Sequence, residues 1–229
     1  ADLASSNKTT IEGLPFMDEE NHEGPNIYFG VREFAMASIC NGLTLHGGLR
    51  GYCGTFLVFS DYMRSAIRHS ALMGVPVTYI MTHDSIQVGQ DGPTHQPVEH
   101  LVSLRAMPNL VVYRPADANE TIVAWKLAAI SKDRPFLIAL GRHDVPVIEN
   151  VNFENAEKGG YVLSKDSDNP DLILIASGSE VEMALLAKEQ LNQYKVNVVS
   201  LPSWELFDAQ SEEYKESVLP ANVDNKLSI

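Results

Sequence analysis

The sequence has 229 residues, 45% hydrophobic and 21% charged, which supplies ample material for a core and excludes a disordered chain. A net charge of −13, from 30 acidic and 17 basic residues, argues against nucleic acid and anionic membrane surfaces as partners, since both need clustered Lys and Arg. No apolar run is long enough to span a bilayer, and the length suits one and a half to two domains.

The chain opens on Ala1-Asp2-Leu3, with no initiator Met and no signal-peptide core, which reads as a start inside a longer gene product. Residues 1–25 are polar and punctuated by Pro15 and Pro25, and read as loop. A short strand is expected at 27–29, followed by a helix over 31–43. That helix is apolar nearly all round, which predicts burial between other elements. The run 55–59 leads into a helix at 61–72, and a strand follows at 75–81. Next come a Gly-rich loop at 85–93, a helix at 95–105, a strand at 110–113 and a helix at 118–131 opened by the capping pair Asp117 and Glu120. A strand at 136–140 closes the series. Strands alternating with helices in this way indicate an α/β fold with a doubly wound parallel sheet.

Periodicity is lost over 144–157, which reads as a linker. A second α/β unit then begins, with strands at 160–164, 171–176 and 196–201 and a helix at 180–193 capped by Ser179 with Glu182. Three strands and one helix make an incomplete domain. Leu172, Leu174, Val198 and Val199 are therefore expected to face water or a foreign partner, with an unpaired sheet edge beside them. Cys40 and Cys53 sit among apolar neighbours without a metal-ligand spacing; they read as small buried hydrophobes in a reducing, cytoplasmic setting.

Glu33 stands in the first turn of the first apolar helix. It can serve as a charge that complements the helix dipole or as a carboxylate held dry for a ligand's ring nitrogen. The segment Thr82-His-Asp-Ser-Ile-Gln-Val-Gly-Gln-Asp-Gly-Pro-Thr-His-Gln-Pro97 leaves the C-terminal end of a strand, the edge where open parallel sheets bind ligands. It brings His83, His95, Asp84 and Asp91 onto one loop, an arrangement suited to catalysis or binding. The spacing of the two histidines is poor for zinc. Gly141-Arg142-His143 places an arginine at the same edge, and its planar fork of donors suits a phosphate.

Gly30-Val-Arg-Glu-Phe-Ala-Met36, Gly54-Thr-Phe-Leu-Val-Phe59, Thr82-His-Asp-Ser-Ile86, Gly92-Pro-Thr-His-Gln-Pro97 and Arg114-Pro-Ala-Asp117 resemble the pyrimidine-binding domain of transketolases. The opening Ala-Asp-Leu-Ala-Ser-Ser-Asn is similar to the segment before that domain. Lys158-Gly-Gly-Tyr-Val-Leu163 and Ile175-Ala-Ser-Gly-Ser-Glu-Val181 are similar to the start of the family's C-terminal domain. The resemblance covers essentially the whole chain and implies a pyrimidine-binding domain at 1–147 and the opening part of a C-terminal domain at 148–229.

The resemblance also implies chemistry. Glu33 would protonate N1′ of the aminopyrimidine of thiamine diphosphate, and a two-carbon ketol unit would pass from a ketose phosphate to an aldose phosphate in the pentose phosphate pathway. Phe56, Phe59 and Tyr62 would wall the pyrimidine, with Phe59 stacking on it. His83, Asp91 and His95 would bind sugar hydroxyls. His95 would also carry a proton, as an imidazole can near neutral pH. Ser6 and Arg142 would grip the sugar phosphate. Phe34 stands where many relatives have His, which leaves Glu33 untouched.

The family's diphosphate and divalent metal, Mg or Ca, are held by a separate N-terminal domain with a Gly-Asp-Gly…Asn motif that does not occur here. The implied picture is half of each active site, inactive alone, within a cytoplasmic homodimer that binds sugar phosphates and neither nucleic acid nor membrane. The nearest rivals are 1-deoxyxylulose-5-phosphate synthase and the β subunits of 2-oxo-acid dehydrogenases, against which His83 in Thr-His-Asp-Ser-Ile argues. Dihydroxyacetone synthase is closer. A reading of a different class makes the chain as it stands a non-catalytic dimerising module.

Overall fold

A computed structural model describes residues 4–149 and 151–229. Eight strands form two four-stranded sheets, ordered β1-β2-β4-β3 and β5-β7-β6-β8. Contacts divide the chain into two compact units, one running to Leu110 and including Ser131–Arg142, the other comprising Val111–Ile130 and His143–Ile229. The architecture is α/β in both, as the sequence predicts.

In the first unit, β1 (Tyr52–Phe56), β2 (Thr78–Thr82) and β4 (Phe136–Ala139) run parallel with β2 in the middle. All of β2 and β4 is buried, as expected of strands covered on both faces. Helix α2 (Glu33–His46) packs on α3 (Ser60–Met73) and on β1. It is pinned by the buried Asn41, whose Nδ2 donates to Ala66 O at 2.9 Å and whose Oδ1 accepts from Tyr79 Oη at 2.8 Å. A buried amide deprived of such partners costs about 1–3 kcal/mol, so α2 is held in one place.

Several expectations fail here. Residues 27–29 form no strand; only Asn26 pairs, in an isolated bridge with Phe16, and Ile27 and Tyr28 are exposed. The first helix is not buried all round either: Phe34, Ile39, Leu43 and Leu45 are exposed, because α3 and β1 cover only one side of it. Helix α4 is also shorter than expected, His100–Arg105, after a 3-10 turn over Ile86–Asp91. The opening loop carries one short helix, α1 (Ala4–Asn7).

In the second unit, β3 (Val111–Tyr113) and α5 (Ala118–Ile130) precede the short α6 (Phe153–Ala156), which lies within the stretch read as a linker and is capped by Asn152 Oδ1 accepting from Asn155 N at 3.0 Å. The sheet comprises β5 (Tyr161–Ser164), β6 (Leu172–Ala176), β7 (Val196–Ser200) and β8 (Lys226–Ser228); β5 is antiparallel to β7, while β6 is parallel to β7 and β8. Leu174 and Val198 pack with Val181 and Ala184 of α7 (Glu180–Gln190). Ile173 and Val199 pack with Phe207 of α8 (Trp204–Asp208) and Val218 of α9 (Glu212–Val218).

The expected exposure of Leu174, Val198 and Val199 is therefore wrong, and Leu172 is half-buried: α7, α8 and α9 cover both faces, and β8 pairs with β6. The cap assigned to Ser179 also fails. Its backbone is already helical (φ −59°, ψ −24°), whereas a capping residue is extended, and its buried hydroxyl makes no hydrogen bond among the described residues. The Asp117 cap is present, with Oδ1 accepting from Glu120 N at 2.9 Å.

Candidate active site

Parallel strands deliver the residues that follow them to one edge of the sheet. Phe56 ends β1, and a 3-10 turn over Leu57–Phe59 leads into α3, which carries Tyr62. Phe56 and Phe59 stack at 5.9 Å between centroids, and Phe59 and Tyr62 at 6.0 Å. Phe56 is buried, Phe59 half-buried and Tyr62 exposed, so the rings form a wall that grades from core to surface.

His83 follows the last residue of β2 and is 7% exposed. Its ring lies on Phe56 with centroids 3.7 Å apart and planes 24° apart. Its backbone is left-handed at φ 60°, a strain of order 1 kcal/mol in a non-glycine residue that the surrounding contacts must hold in place. Its Nδ1 lies 2.9 Å from Thr82 Oγ1, and the Thr82 hydroxyl donates to Asn7 Oδ1 at 2.8 Å. With the Thr82 hydrogen spent on Asn7, the hydroxyl oxygen accepts from Nδ1–H, and Nε2 is left as a free acceptor. Burial, with the nearby Arg142 guanidinium, pulls the His83 pKa below its ordinary value, while Asp91 and Asp84 oppose the shift. That setting favours the neutral imidazole.

His95 reaches the same cluster from the far end of the loop, edge-on to Phe59 at 5.3 Å and to Phe56 at 6.4 Å. Its Nδ1 lies 2.8 Å from Thr94 Oγ1. Asp91 is exposed at the end of the 3-10 turn, and Arg142 is exposed beyond β4; both act on His83 electrostatically. Ser6 is exposed on α1, next to the Asn7 that supports His83 through Thr82.

Glu33 is set apart from these rings. It opens α2, is 6% exposed, and makes no hydrogen bond or ion pair within the described residues. Gly30, at φ 62°, turns the chain into this helix; a Cβ there would stand 2.9 Å from Arg32 Nη1. The structure therefore groups Phe56, Phe59, Tyr62, His83 and His95 by contact and Asp91 and Arg142 by field, and leaves Glu33 and Ser6 outside direct contact with the rings.

Asn7 and Thr82 are not singled out by sequence reading, although Thr82 lies inside the quoted motif; their link spans 75 residues. Asp61, Glu99 and His100 also go unnoticed there, with His100 Nε2 3.2 Å from Asp61 Oδ2 and three ligand-type atoms within 4.8 Å of one another. This group belongs to the starts of α3 and α4.

The sequence matches the family model for the transketolase pyrimidine-binding domain over residues 1–147 and that for the transketolase-like C-terminal domain over residues 159–229. The chain belongs to the transketolase family. A transketolase of Bacillus subtilis is 56% identical over the whole chain, which spans 35% of that relative's length. A Pichia stipitis transketolase crystallised with sedoheptulose 7-phosphate matches all of the chain with a TM-score of 0.94 at 45% identity, and the chain covers 35% of it. A split-gene transketolase described as an inactive β4 tetramer matches 79% of the chain with a TM-score of 0.66 at 28% identity, and 58% of that protein is covered. The chain thus spans about a third of the length of the first two transketolases. Transketolases depend on thiamine diphosphate, and Glu33 and Phe59 suit its pyrimidine in kind: a buried acid without a partner, and a half-buried aromatic face. Among the described residues no helix is long and apolar enough to cross a membrane.

Proposed function

We propose that this chain supplies the pyrimidine-holding and sugar-binding part of a transketolase active site. The observation that carries the reading is Glu33, a buried carboxylate at a helix start with no partner among the described residues of its own chain. Bound thiamine diphosphate supplies the carbon centre that carries a two-carbon ketol unit from a ketose phosphate to an aldose phosphate. Glu33 holds a proton at ring nitrogen N1′, where burial strengthens the bond. Phe59 presents its face to the pyrimidine, backed by Phe56 and flanked by Tyr62.

His83 accepts from a sugar hydroxyl at Nε2, its ring fixed by Thr82 and Phe56. Asp91 accepts from a second hydroxyl, and His95 binds sugar and carries a proton. Arg142 and Ser6 take the phosphate, the guanidinium through charge-assisted bonds. No residue of this chain is assigned to the diphosphate or to Mg or Ca. The exposed apolar side chains of α2, Phe34 and Ile39 among them, support a second copy as a partner.

The reading is tested in an enzyme of the relatives' full length that contains this sequence. Glu33→Gln keeps the size and removes the acid, and hydrogen–deuterium exchange at cofactor C2 is followed by NMR. Exchange slowed by at least ~10²-fold is expected; an unchanged rate reduces Glu33 to a helix-end charge. The 229-residue chain alone is expected to show no ketol transfer with magnesium and cofactor supplied, and turnover by it would overturn the assignment of a partial site. Formaldehyde as acceptor separates this function from dihydroxyacetone synthase.

A further inference from the structure

Cys40 and Cys53 are the only cysteines in the sequence, and neither serves the site described above. Sequence reading makes them a pair of small buried hydrophobes. The fold makes them neighbours. Cys40 lies on α2 two turns beyond Glu33, Cys53 lies in β1, and these two elements pack together. Each thiol acts on the other's protonation, as neighbouring thiols do. Gly51, two residues before Cys53, is pressed against the same sulfur: a Cβ there would stand 2.9 Å from Cys40 Sγ. Both thiols are free, and both line a cavity of about 520 Å³ that Tyr52, Met36 and Arg50 share. Each cysteine is largely buried, and both residues belong to the wall of this cavity.

We propose that Cys40 and Cys53 form a redox-active dithiol that a peroxide-class oxidant converts into an intramolecular disulfide between α2 and β1. The Cys40 sulfur attacks one peroxide oxygen, the O–O bond breaks, and Cys40 becomes a sulfenic acid as the first water leaves. The Cys53 sulfur then attacks the Cys40 sulfur; the S–S bond forms and the sulfenic hydroxyl leaves as a second water. Two thiols and one hydrogen peroxide give one disulfide and two waters, with the two electrons taken from the sulfurs. The order of attack follows from the way the two thiols act on each other: the Cys40 thiol is held below its ordinary pKa beside Cys53, while Cys40 and burial push the Cys53 thiol up. The bond would tie the helix that opens on Glu33 to the strand that ends on Phe56.

The test needs no activity assay. Arg32, Arg50 and Arg64 let trypsin place Cys40 in peptide 33–50 and Cys53 in peptide 51–64. The folded chain is treated with hydrogen peroxide, blocked with an alkylating agent, digested and weighed with and without reductant. The expected result is loss of both free thiols together and a linked 33–50/51–64 pair that reduction releases, with the helical circular dichroism retained. Cys53→Ser should stop at a Cys40 sulfenic acid trapped by dimedone. Cys40→Ser should consume peroxide about ten-fold more slowly than the unaltered chain. Thiols that stay alkylatable, disulfides only between chains, or sulfinic acid forming at Cys40 as fast in the unaltered chain as in Cys53→Ser would each overturn the proposal. The linked peptide is read in the unaltered chain, so the test decides the matter even where a variant fails to fold.

Discussion

Glu33 and Glu120 invite comparison because their local setting is alike: each is a glutamate in the first turn of a helix, and each is buried, at 6% and 0% exposure. Their surroundings differ completely. In the second unit, Glu120 Oε1 accepts from Tyr161 Oη at 2.9 Å and Ser200 Oγ at 2.6 Å, and Oε2 accepts from Ala116 N at 2.8 Å. Burial pushes its pKa up while those three donors pull it down. Glu33, in the first unit, has no such company within the described residues. A carboxylate whose bonds are all made internally holds a fold together. One without a partner in its own chain is left open to something from outside.

The comparison is most easily broken at Glu120. Glu120→Ala leaves a hydroxyl of Tyr161, a hydroxyl of Ser200 and an amide of Ala116 buried without an acceptor. A loss of about 3 kcal/mol or more is expected, read from urea unfolding of the chain. Glu33→Gln should do the opposite of this in the same assay, changing stability by less than about 0.5 kcal/mol or raising it, since no internal bond is lost. Comparable destabilisation by both substitutions would erase the distinction.

Arg142→Ala sharpens the comparison from the substrate side. A charge-assisted bond is worth about 1.5–3 kcal/mol, so KM for phosphorylated sugars in the full-length enzyme should rise roughly ten-fold or more. Hydroxypyruvate, which carries no phosphate, should be nearly unaffected; equal loss on both donors would make Arg142 structural. The smallest effect concerns His83. Its folded pKa lies below the unfolded value, so between the two the unfolded chain binds more protons, and its contribution to stability falls as pH drops below about 6.5. Unfolding free energies from urea at about pH 5.5 and about pH 7.5 should differ less in His83→Asn than in the unaltered chain, by under about 1 kcal/mol.

What can be read from sequence follows from how each feature is encoded. The strands β2 and β4 are buried on both faces and so appear as apolar runs, Thr-Tyr-Ile-Met-Thr and Phe-Leu-Ile-Ala. The loop at 82–97 announces itself because His83, Asp91 and His95 share it with glycines. The helices α8 and α9 have 5 and 7 residues and β8 has 3, too short for any period to emerge, so the second unit looks emptier in sequence than it is. The outward face of α2 is misread because apolar composition alone does not say whether its cover lies in the same chain. The support that Asn7 gives to Thr82 is invisible for a different reason: nothing local links two residues 75 apart.

Gly54 shows how far such a link extends. A Cβ at this strand position would stand 2.8 Å from Thr9 Cγ2 and 3.1 Å from Ile80 O, so the glycine lets the opening segment lie directly on β1, where Tyr52 Oη also donates to Thr9 O at 2.9 Å. What looks like a loose tail is in effect a lining of the sheet. Cleavage after Lys8 would release Ser6 and Asn7 together. The Thr82 hydroxyl would then be free to rotate, and with it would go the fixed tautomer of His83. Which nitrogen of a buried imidazole carries the hydrogen is thus set by a peptide bond at the surface.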